Sequence, residues 1–424
     1  MRDPPGRFQA QVYARDRERW KLQTASRTIK RFFIQGRYIQ VLSSVRLLRD
    51  RCAKGVFGRE GGTMIIEEGT NFEVCKNVFY NPNMKFCRSL LSLAVGAIDK
   101  RLVLCDGFAA TGIRGIRYAK ENENVSEVVF VDIEDDAVKC IRKNARMNKI
   151  RAKIMKGNIS RLVFDIVADF VEVDPFGTPS PYLYDVFRIF NPLKSGYLSV
   201  TATDTAVLCG GRVKAAMKNY HSKPLNNEFT HENGLRILIK KIAEVAAEFN
   251  FGIKPLLSIS DRHYLKTLIY LERSAEKADQ SLKQLKYVVY CENCGYREAV
   301  RFPYERCPNC KSQIDYAGPL WTGELHEQVF IRKMIALNEK RNYSQKAELA
   351  KKLAIMESEV GMPPYFYDIH YLSKKLHLER VPKIDEIIER GKTELKTKIV
   401  RTHFSPTAIK TSARPEEVIT LLKR

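Results

Sequence analysis

The sequence predicts an α/β protein: a Rossmann-like, doubly wound sheet followed by a C-terminal α/β domain. Three observations carry this. Short β-branched runs alternate with helical stretches from Cys75 to about residue 275. The spacing leaves room for a helical crossover between most successive strands, which implies a parallel sheet covered on both faces. The chemically distinctive residues fall where those runs end, and open α/β sheets bind ligands outside the carboxyl ends of their strands.

Residues 1–62 stand apart, because their basic residues are mostly Arg whereas the rest is Lys-rich, and they show no helical or strand period. A true start at Met64 is favoured over a basic arm that grips RNA, and the segment is assigned no fold. "RLVLCDGF" (101–108) reads as a buried strand and "GIRGIRYAKEN" as the helix after it. "EVVFVDIE" (127–134) is the next strand, followed by the helix "DDAVKCIRKNARMN". "AKIMKGN" (152–158), "FVEVD" (170–174) and "GYLSVTATD" (196–204) continue the sheet, and "IKPLLSISDRHYLKTLIYLER" (253–273) holds two further strands. The expected domains are therefore 63–275, and 276–424 with a metal module at 291–310.

Bulk properties narrow the partners. The chain has 424 residues, 44% hydrophobic and 29% charged, as a globular protein of two or three domains would. No apolar stretch approaches the roughly 20 residues of a membrane helix, and no signal peptide is evident, so a cytosolic protein without a membrane partner is expected; a monomer is expected too, although the residues are silent on oligomeric state. A net charge of +23 favours a polyanion. Six of the ten cysteines, Cys52, Cys75, Cys87, Cys105, Cys140 and Cys209, are scattered and read as buried thiols of a reducing compartment.

Four strand ends carry candidate chemistry. "DGFAATGIRGIR" (106–117) ends a strand at Asp106 and opens a helix at Gly112, so small residues let a ligand approach the backbone. Ala109 and Ala110 break the dinucleotide fingerprint G-x-G-x-x-G, which argues against hydride transfer. A looser loop suits S-adenosylmethionine, which has no pyrophosphate to cradle, and Asp106 is read as facing it. Asp132, about 25 residues on, can accept both ribose hydroxyls, its alternative being a helix cap. Asn158 and the Ile159 backbone stand where adenine is expected. In "VDPFGTP" the fixed φ of Pro175 sends the chain out of the sheet in a set direction, with Asp174 extended before it. A carboxylate there can orient an amino group and take its proton, and Phe176 can sandwich a flat base; the alternative is an ordinary turn.

Beyond residue 275, "CENCGYREAVRFPYERCPNC" places Cys291, Cys294, Cys307 and Cys310 at C-x2-C spacing either side of twelve residues. Four thiolates so spaced suit a closed, structural Zn2+ site of the ribbon or knuckle type, with Tyr296, Arg297, Arg301 and Arg306 presented to RNA. Two disulfides or an iron–sulfur site are the alternatives. "YDIHYLSKKLHLERVPKIDEIIERGKT" reads as two short helices resembling a winged-helix unit. "VRTHFSPTAIKTSA" has no hydrophobic period, and its Arg401, His403 and Lys410 suit phosphate contacts.

Together "VFYNPNMKFCR", "DGFAATGIRGIR", "VDPFGTP", "TATDTAVLCG", "NNEFTHENGLRILIK" and "RTHFSPTAIKTSA" resemble the tRNA (guanine-26 N2)-dimethyltransferase family, whose members are class I S-adenosylmethionine-dependent RNA methyltransferases. The likeness runs from about Met64 to the C-terminus. It implies that Arg88 and Arg114 contact the cofactor, with Asp132 on the ribose and Asn158 and Ile159 near adenine. Asp174 would be the catalytic carboxylate, and Phe79 and Phe176 would border the target guanine of tRNA. Cys87 stands where the family has Asn before the first motif's Arg, and Asn158-Ile159 stand where many members have Asp-Ala. Two other readings remain open: methylation of another guanine or an adenine in rRNA or DNA, and a non-catalytic zinc-bearing RNA-binding protein or chaperone.

Overall fold

The computed structural model describes residues 55–59 and 61–423. The expectation of a foreign segment at 1–62 falls almost wholly outside them. Among the described residues, 57–80 and 84–423 form one compact unit.

Seven strands form the central sheet: β1 (Leu102–Asp106), β2 (Val125–Asp132), β3 (Ala152–Lys156), β4 (Phe170–Val173), β5 (Ser195–Ala202), β6 (Phe251–Asp261) and β7 (Tyr264–Arg273), in the order β3-β2-β1-β4-β5-β7-β6. The first five are parallel, as the helical spacing requires. The last two are not. Asp261 pairs with Tyr264 across only Arg262 and His263, and β7 then runs antiparallel to both β6 and β5. So short a connection can only reverse the chain, which amends the expectation of a wholly parallel sheet.

The helices that position the site are α1 (Lys85–Gly96), α2 (Ile113–Glu121), α3 (Asp135–Met147), α4 (Ser180–Phe187), α5 (Val213–Tyr220) and α6 (Thr230–Glu248). Successive side chains of a strand point to opposite faces, and the core divides accordingly. Leu104, Val128, Phe130 and Phe170 pack with Leu90 of α1, Ile116 of α2 and Ile141 of α3. Cys105, Val129, Val131, Val171 and Val173 pack on the other face, with Leu183 of α4 and Leu235, Leu238 and Ile242 of α6. Hence residues 170, 172 and 174 all face α2.

Past β7, Ser274 caps a helix over Ala275–Lys283 that leads into a three-stranded antiparallel sheet of Leu285–Tyr290, Arg297–Val300 and Asp315–Trp321. Val288, Tyr290, Ala317, Leu320 and Trp321 belong to the same core cluster as α6. Two helices, Gln328–Lys340 and Lys346–Ser358, pack their Phe330, Ile331, Leu349 and Leu353 into the cluster of α1. A second small sheet, Tyr367–Asp368, Ala408–Thr411 and Ile399–Arg401, carries the helices Ile369–Lys375, Ile384–Arg390 and Pro415–Leu422 on a core of its own. No helix among the described residues is long and apolar enough to cross a membrane.

The scattered cysteines need one correction. Cys75, the residue after the hairpin strand Thr70–Val74, forms a disulfide with Cys140 of α3, their Cα atoms 5.7 Å apart. That lies within bridging range, although 65 residues separate the two. Cys87 and Cys105 are buried free thiols, Cys209 is half-buried and free, and Cys52 lies outside the described residues.

Candidate active site

The carboxyl ends of β1, β2 and β3 are laced together by their own backbone. Gly107 sits so close to the next layer that a Cβ would lie 2.5 Å from Ile159 Cδ1 and 3.0 Å from the Glu172 carbonyl oxygen. Gly112 starts α2 in the left-handed region, φ +77°, which glycine adopts without strain. Between them the Ala110 N–H donates to Asp132 Oδ2 (2.8 Å), while the Glu134 N–H donates to Asp132 Oδ1 (3.0 Å). Asp132 thus shapes the loop with both oxygens, each of which keeps a second lone pair. Asn158 caps the short helix Ile159–Leu162 by accepting from the Ser160 N–H at 3.0 Å, and Ile159 is buried beneath Gly107. Asp106, Asp132, Asn158 and Ile159 therefore converge on one sheet edge.

Beside them runs a row of buried charges of alternating sign. Arg114 of α2 pairs with Asp174 and reaches Glu172 Oε1 at 3.4 Å. Glu172 is in turn bound by Lys266 of β7, whose ammonium also donates to Thr201 Oγ1 of β5 at 2.7 Å. Glu172 is fully buried and Lys266 almost so; Asp174, at the rim, is partly exposed. Bringing such charges out of water is tolerable only because each meets its opposite. Burial opposes the charge on Arg114, but Asp174 and Glu172 outweigh it and hold the guanidinium firmly protonated. Asp174 Oδ2 carries the Arg114 contact, and Oδ1 accepts no hydrogen bond among the described residues. Glu172 and Lys266 escaped the sequence reading. The available signal was one charged residue inside each of two apolar strands, "FVEV" and "YLKTLIYL".

Asp106 completes the row with a distinct property. Burial pushes its carboxyl up to about 7; Arg114 opposes this, while Glu172 and Asp174 add to it. Its Oδ2 is buried without a partner. The value lies above the ordinary 3.8, so stability tied to the protonated form is full below about pH 4 and is lost as pH rises through about 7. Asn at this position cannot ionise. Thermal melts without ligand should show Asp106→Asn gaining a few degrees on the parent between about pH 5 and 8.5. A difference that stays flat over that span would mean the carboxyl is charged throughout.

The predicted rings do meet. Phe79 and Phe176 lie edge to face with centroids 5.0 Å apart, and Phe57 backs Phe79 at 5.5 Å. Phe176 is 53% exposed, although Pro175 beside it is buried. The loop behind it is pinned. The Gly177 N–H donates to Thr203 Oγ1 (2.8 Å), and Thr178 Oγ1 lies 2.8 Å from the Tyr220 hydroxyl, which donates to Asp204 Oδ1 at 2.9 Å.

Arg88 is placed differently from what its expected cofactor contact suggests. Its Nε donates to Glu67 Oε1 at 2.7 Å, and Arg117 and Tyr80 bind the same carboxylate at 2.8 and 2.7 Å. Burial raises the Glu67 carboxyl, yet Arg88 and Arg117 prevail and lower it to about 2.

Of the three residues expected to contact phosphate at the C-terminus, two are turned inward and Arg401 stays partly exposed. His403 and Lys410 are buried and bonded inward: His403 to Glu359, Lys410 to Glu232 and, at 3.1 Å, to the Pro363 carbonyl. Arg401 donates to Asp385 at 2.8 Å. A polar stretch without periodicity is compatible with solvent or with an internal network, and here the network prevails. Arg297 is likewise buried against Glu228 and cannot face RNA, whereas Arg301 and Arg306 are exposed. His326, Glu359 and His403 come together, but the Ser258 N–H donates to His326 Nδ1 (3.4 Å), leaving the proton on the Nε2 that faces Glu359 (3.3 Å). An imidazole in that tautomer donates a hydrogen bond and does not ligate an ion through Nε2.

The four clustered cysteines are free thiols whose sulfur atoms lie within 4.8 Å of one another. Cys291 and Cys310 are 3.5 Å apart, Cys294 and Cys307 3.6 Å, close to the edge of about 3.8 Å that four sulfurs at 2.3 Å from zinc would form. The two turns match. The Gly295 and Lys311 N–H groups donate to the carbonyls of Cys291 and Cys307, with Gly295 and Lys311 both at positive φ.

A family profile described as N2,N2-dimethylguanosine tRNA methyltransferase matches residues 61–423. A tRNA (guanine(26)-N(2))-dimethyltransferase of Methanothermobacter thermautotrophicus is 35% identical over 354 residues, 80% of this chain and 91% of its own length. An Aquifex aeolicus protein named tRNA (guanine(26)-N(2)/guanine(27)-N(2))-dimethyltransferase is 35% identical, over 81% of this chain and 88% of its own. Trm1 from Pyrococcus horikoshii, solved in complex with S-adenosyl-L-methionine, superposes with a TM-score of 0.78 at 32% identity, over 85% of this chain and 100% of that one.

Proposed function

The chain belongs to the N2,N2-dimethylguanosine tRNA methyltransferase family, and from that premise we propose that it dimethylates the exocyclic N2 of guanine 26 in tRNA. Its sheet is that of a class I methyltransferase. One observation carries the assignment of roles: a carboxylate with one uncommitted oxygen, Asp174, stands at the tip of β4 next to an exposed aromatic rim and on the same edge as Asp106 and Asp132.

S-adenosylmethionine, when bound, supplies the methyl group on an activated sulfonium. The chain's own residues do the rest. Asp132 offers its second lone pairs to the ribose, Asn158 and Ile159 border adenine, and Asp106 and Arg114 face the amino-acid end, with Arg88 behind Tyr80. Phe79 and Phe176 separate to take the extruded guanine between them. Arg114 fixes Asp174 through Oδ2, so that Oδ1 accepts a hydrogen from N2 and holds that amine in line. As nitrogen gains the methyl carbon, the carbon–sulfur bond breaks with its electron pair left on the now neutral sulfur, and the nitrogen's proton passes to Asp174 and on to water at the open rim. For the second transfer the already methylated amine rotates and presents its remaining hydrogen to the same oxygen.

The coarser outlines extend to the C-terminal part. We assign Zn2+ to Cys291, Cys294, Cys307 and Cys310, a ribbon-like role to the sheet that carries them, and a winged-helix-like role to the unit with its own core after Tyr367. Residues 276–424 then serve to bind tRNA and 63–275 carry the chemistry and the surface around it, in a cytosolic monomer.

The direct test is transfer of labelled methyl to a tRNA transcript, followed by nucleoside identification and mapping. Label should appear as N2,N2-dimethylguanosine at position 26 and vanish when that guanine is replaced by adenine. Label on rRNA, or on adenine, would refute the reading, and label at position 27 would extend it.

A further inference from the structure

Helix α5 lies beside the catalytic loop and has no part in the chemistry above. Its buried side, Ala216 and Tyr220, docks on the protein; Val213, Lys214, Met217 and Lys218 are exposed on one arc of about 140°, with Arg212 just before it and His221 just after. The side chains of Arg212, Lys214 and Lys218 make no ion pair or hydrogen bond with any described residue. Residues 205–227 contain four Lys or Arg and no Asp or Glu. Three other exposed cations near the sheet are paired: Lys100 with Asp169, Lys143 with Glu73 and Lys156 with Asp135.

The position of this helix is set by the loop that carries Phe176. Tyr220 ties its last turn to Thr178 and Asp204, and the Ser180 hydroxyl donates to the Asn219 carbonyl at 2.6 Å. Lys240 of α6 closes it from beneath, donating to the Tyr220 and His221 carbonyls at 3.1 and 3.2 Å. The basic arc therefore keeps a fixed distance from the aromatic rim. A nucleotide drawn out of its stack remains bonded to two phosphates, which must lie just outside the rim that holds its base. Cations without internal partners, set there on a rigid support, meet those phosphates without first breaking a salt bridge. Val213 and Met217, 41% and 49% exposed between them, offer apolar surface to the riboses.

We propose that Arg212, Lys214 and Lys218 clamp the RNA backbone that flanks the extruded guanine, a role that rests on the function assigned above. The clamp binds backbone and reads no sequence, so it acts on affinity and on salt dependence more than on turnover.

The test uses the full chain with Arg212→Ala, Lys214→Ala and Lys218→Ala combined, and tRNA binding measured from about 0.05 to 0.3 M salt. The expected result is a Kd raised about tenfold or more at 0.1 M, with the log–log salt slope shallower by about 2 to 3. Affinity for S-adenosylmethionine and turnover at saturating tRNA should stay within about twofold. The charge-conserving pair Lys214→Arg and Lys218→Arg should keep the parent slope, which separates lost charge from damaged packing. A triple variant with the parent's Kd and slope would overturn the clamp, and so would a charge-conserving pair that loses affinity equally. Parent enzyme that fails to methylate tRNA would instead overturn the function itself.

Discussion

Asp174→Ala should lower methyl transfer to tRNA by roughly 10²- to 10⁴-fold, the range for removing a positioned proton acceptor. The structure explains why so local a change should leave the fold intact. Arg114 already reaches Glu172 at 3.4 Å, and Glu172 keeps Lys266, so the guanidinium is not left as an unpaired buried charge. tRNA affinity, spread over a large basic surface, should change by less than about threefold. Asp174→Asn refines the experiment, because it keeps an oxygen that accepts a hydrogen bond from N2 but removes the ability to take its proton. If orientation is the larger part, Asn should recover much of the lost rate; if proton acceptance is, Asn should resemble Ala. Retention of near-parent turnover by both would remove Asp174 from the mechanism.

Loss of the metal should have the second largest effect. The module around Cys291, Cys294, Cys307 and Cys310 has only four buried residues in its own cluster, Val289, Cys291, Cys307 and Ile314. So little apolar surface cannot order a segment of this length by itself. Purified protein should carry one zinc per chain. Cys291→Ser with Cys307→Ser, or a strong chelator, should release it and lower the melting temperature by ten degrees or more. The damage should spread: Asn309 bonds Glu416 and the Tyr371 hydroxyl donates to Glu292 at 2.6 Å, both in the C-terminal unit. Methyl transfer to intact tRNA should fall more than S-adenosylmethionine binding. Metal-free protein with an unchanged melt would sink the zinc assignment.

The legible part of the site was the part written in consecutive residues. "VDPFGTP" announces a strand end that offers a carboxylate and a ring, and "DGFAATG" a loop that a backbone-hugging ligand can approach; the structure sets both on one edge. The C-terminal stretch was misread for a physical reason. Arg401, His403 and Lys410 carry the groups that phosphate prefers, but Asp385, Glu359 and Glu232 carry the same preference and are already in place. The basic arc of α5 went unnoticed, because "RVKAAMKNYH" looks like any solvated helix until Tyr220 is seen tied to Thr178.

The residues alone determined the alternating architecture, the strand-end chemistry and the four-thiol spacing, each of which depends on neighbours along the chain. The tertiary structure alone decided who faces whom. It set Lys266 on Glu172 across 94 residues, turned Lys410 inward to Glu232 across 178, joined Cys75 to Cys140, and made the last two strands a hairpin. A charged side chain carries no label for its partner. Only when strands and helices dock does burial force it to take the nearest opposite charge, and that choice is made in space, not in sequence.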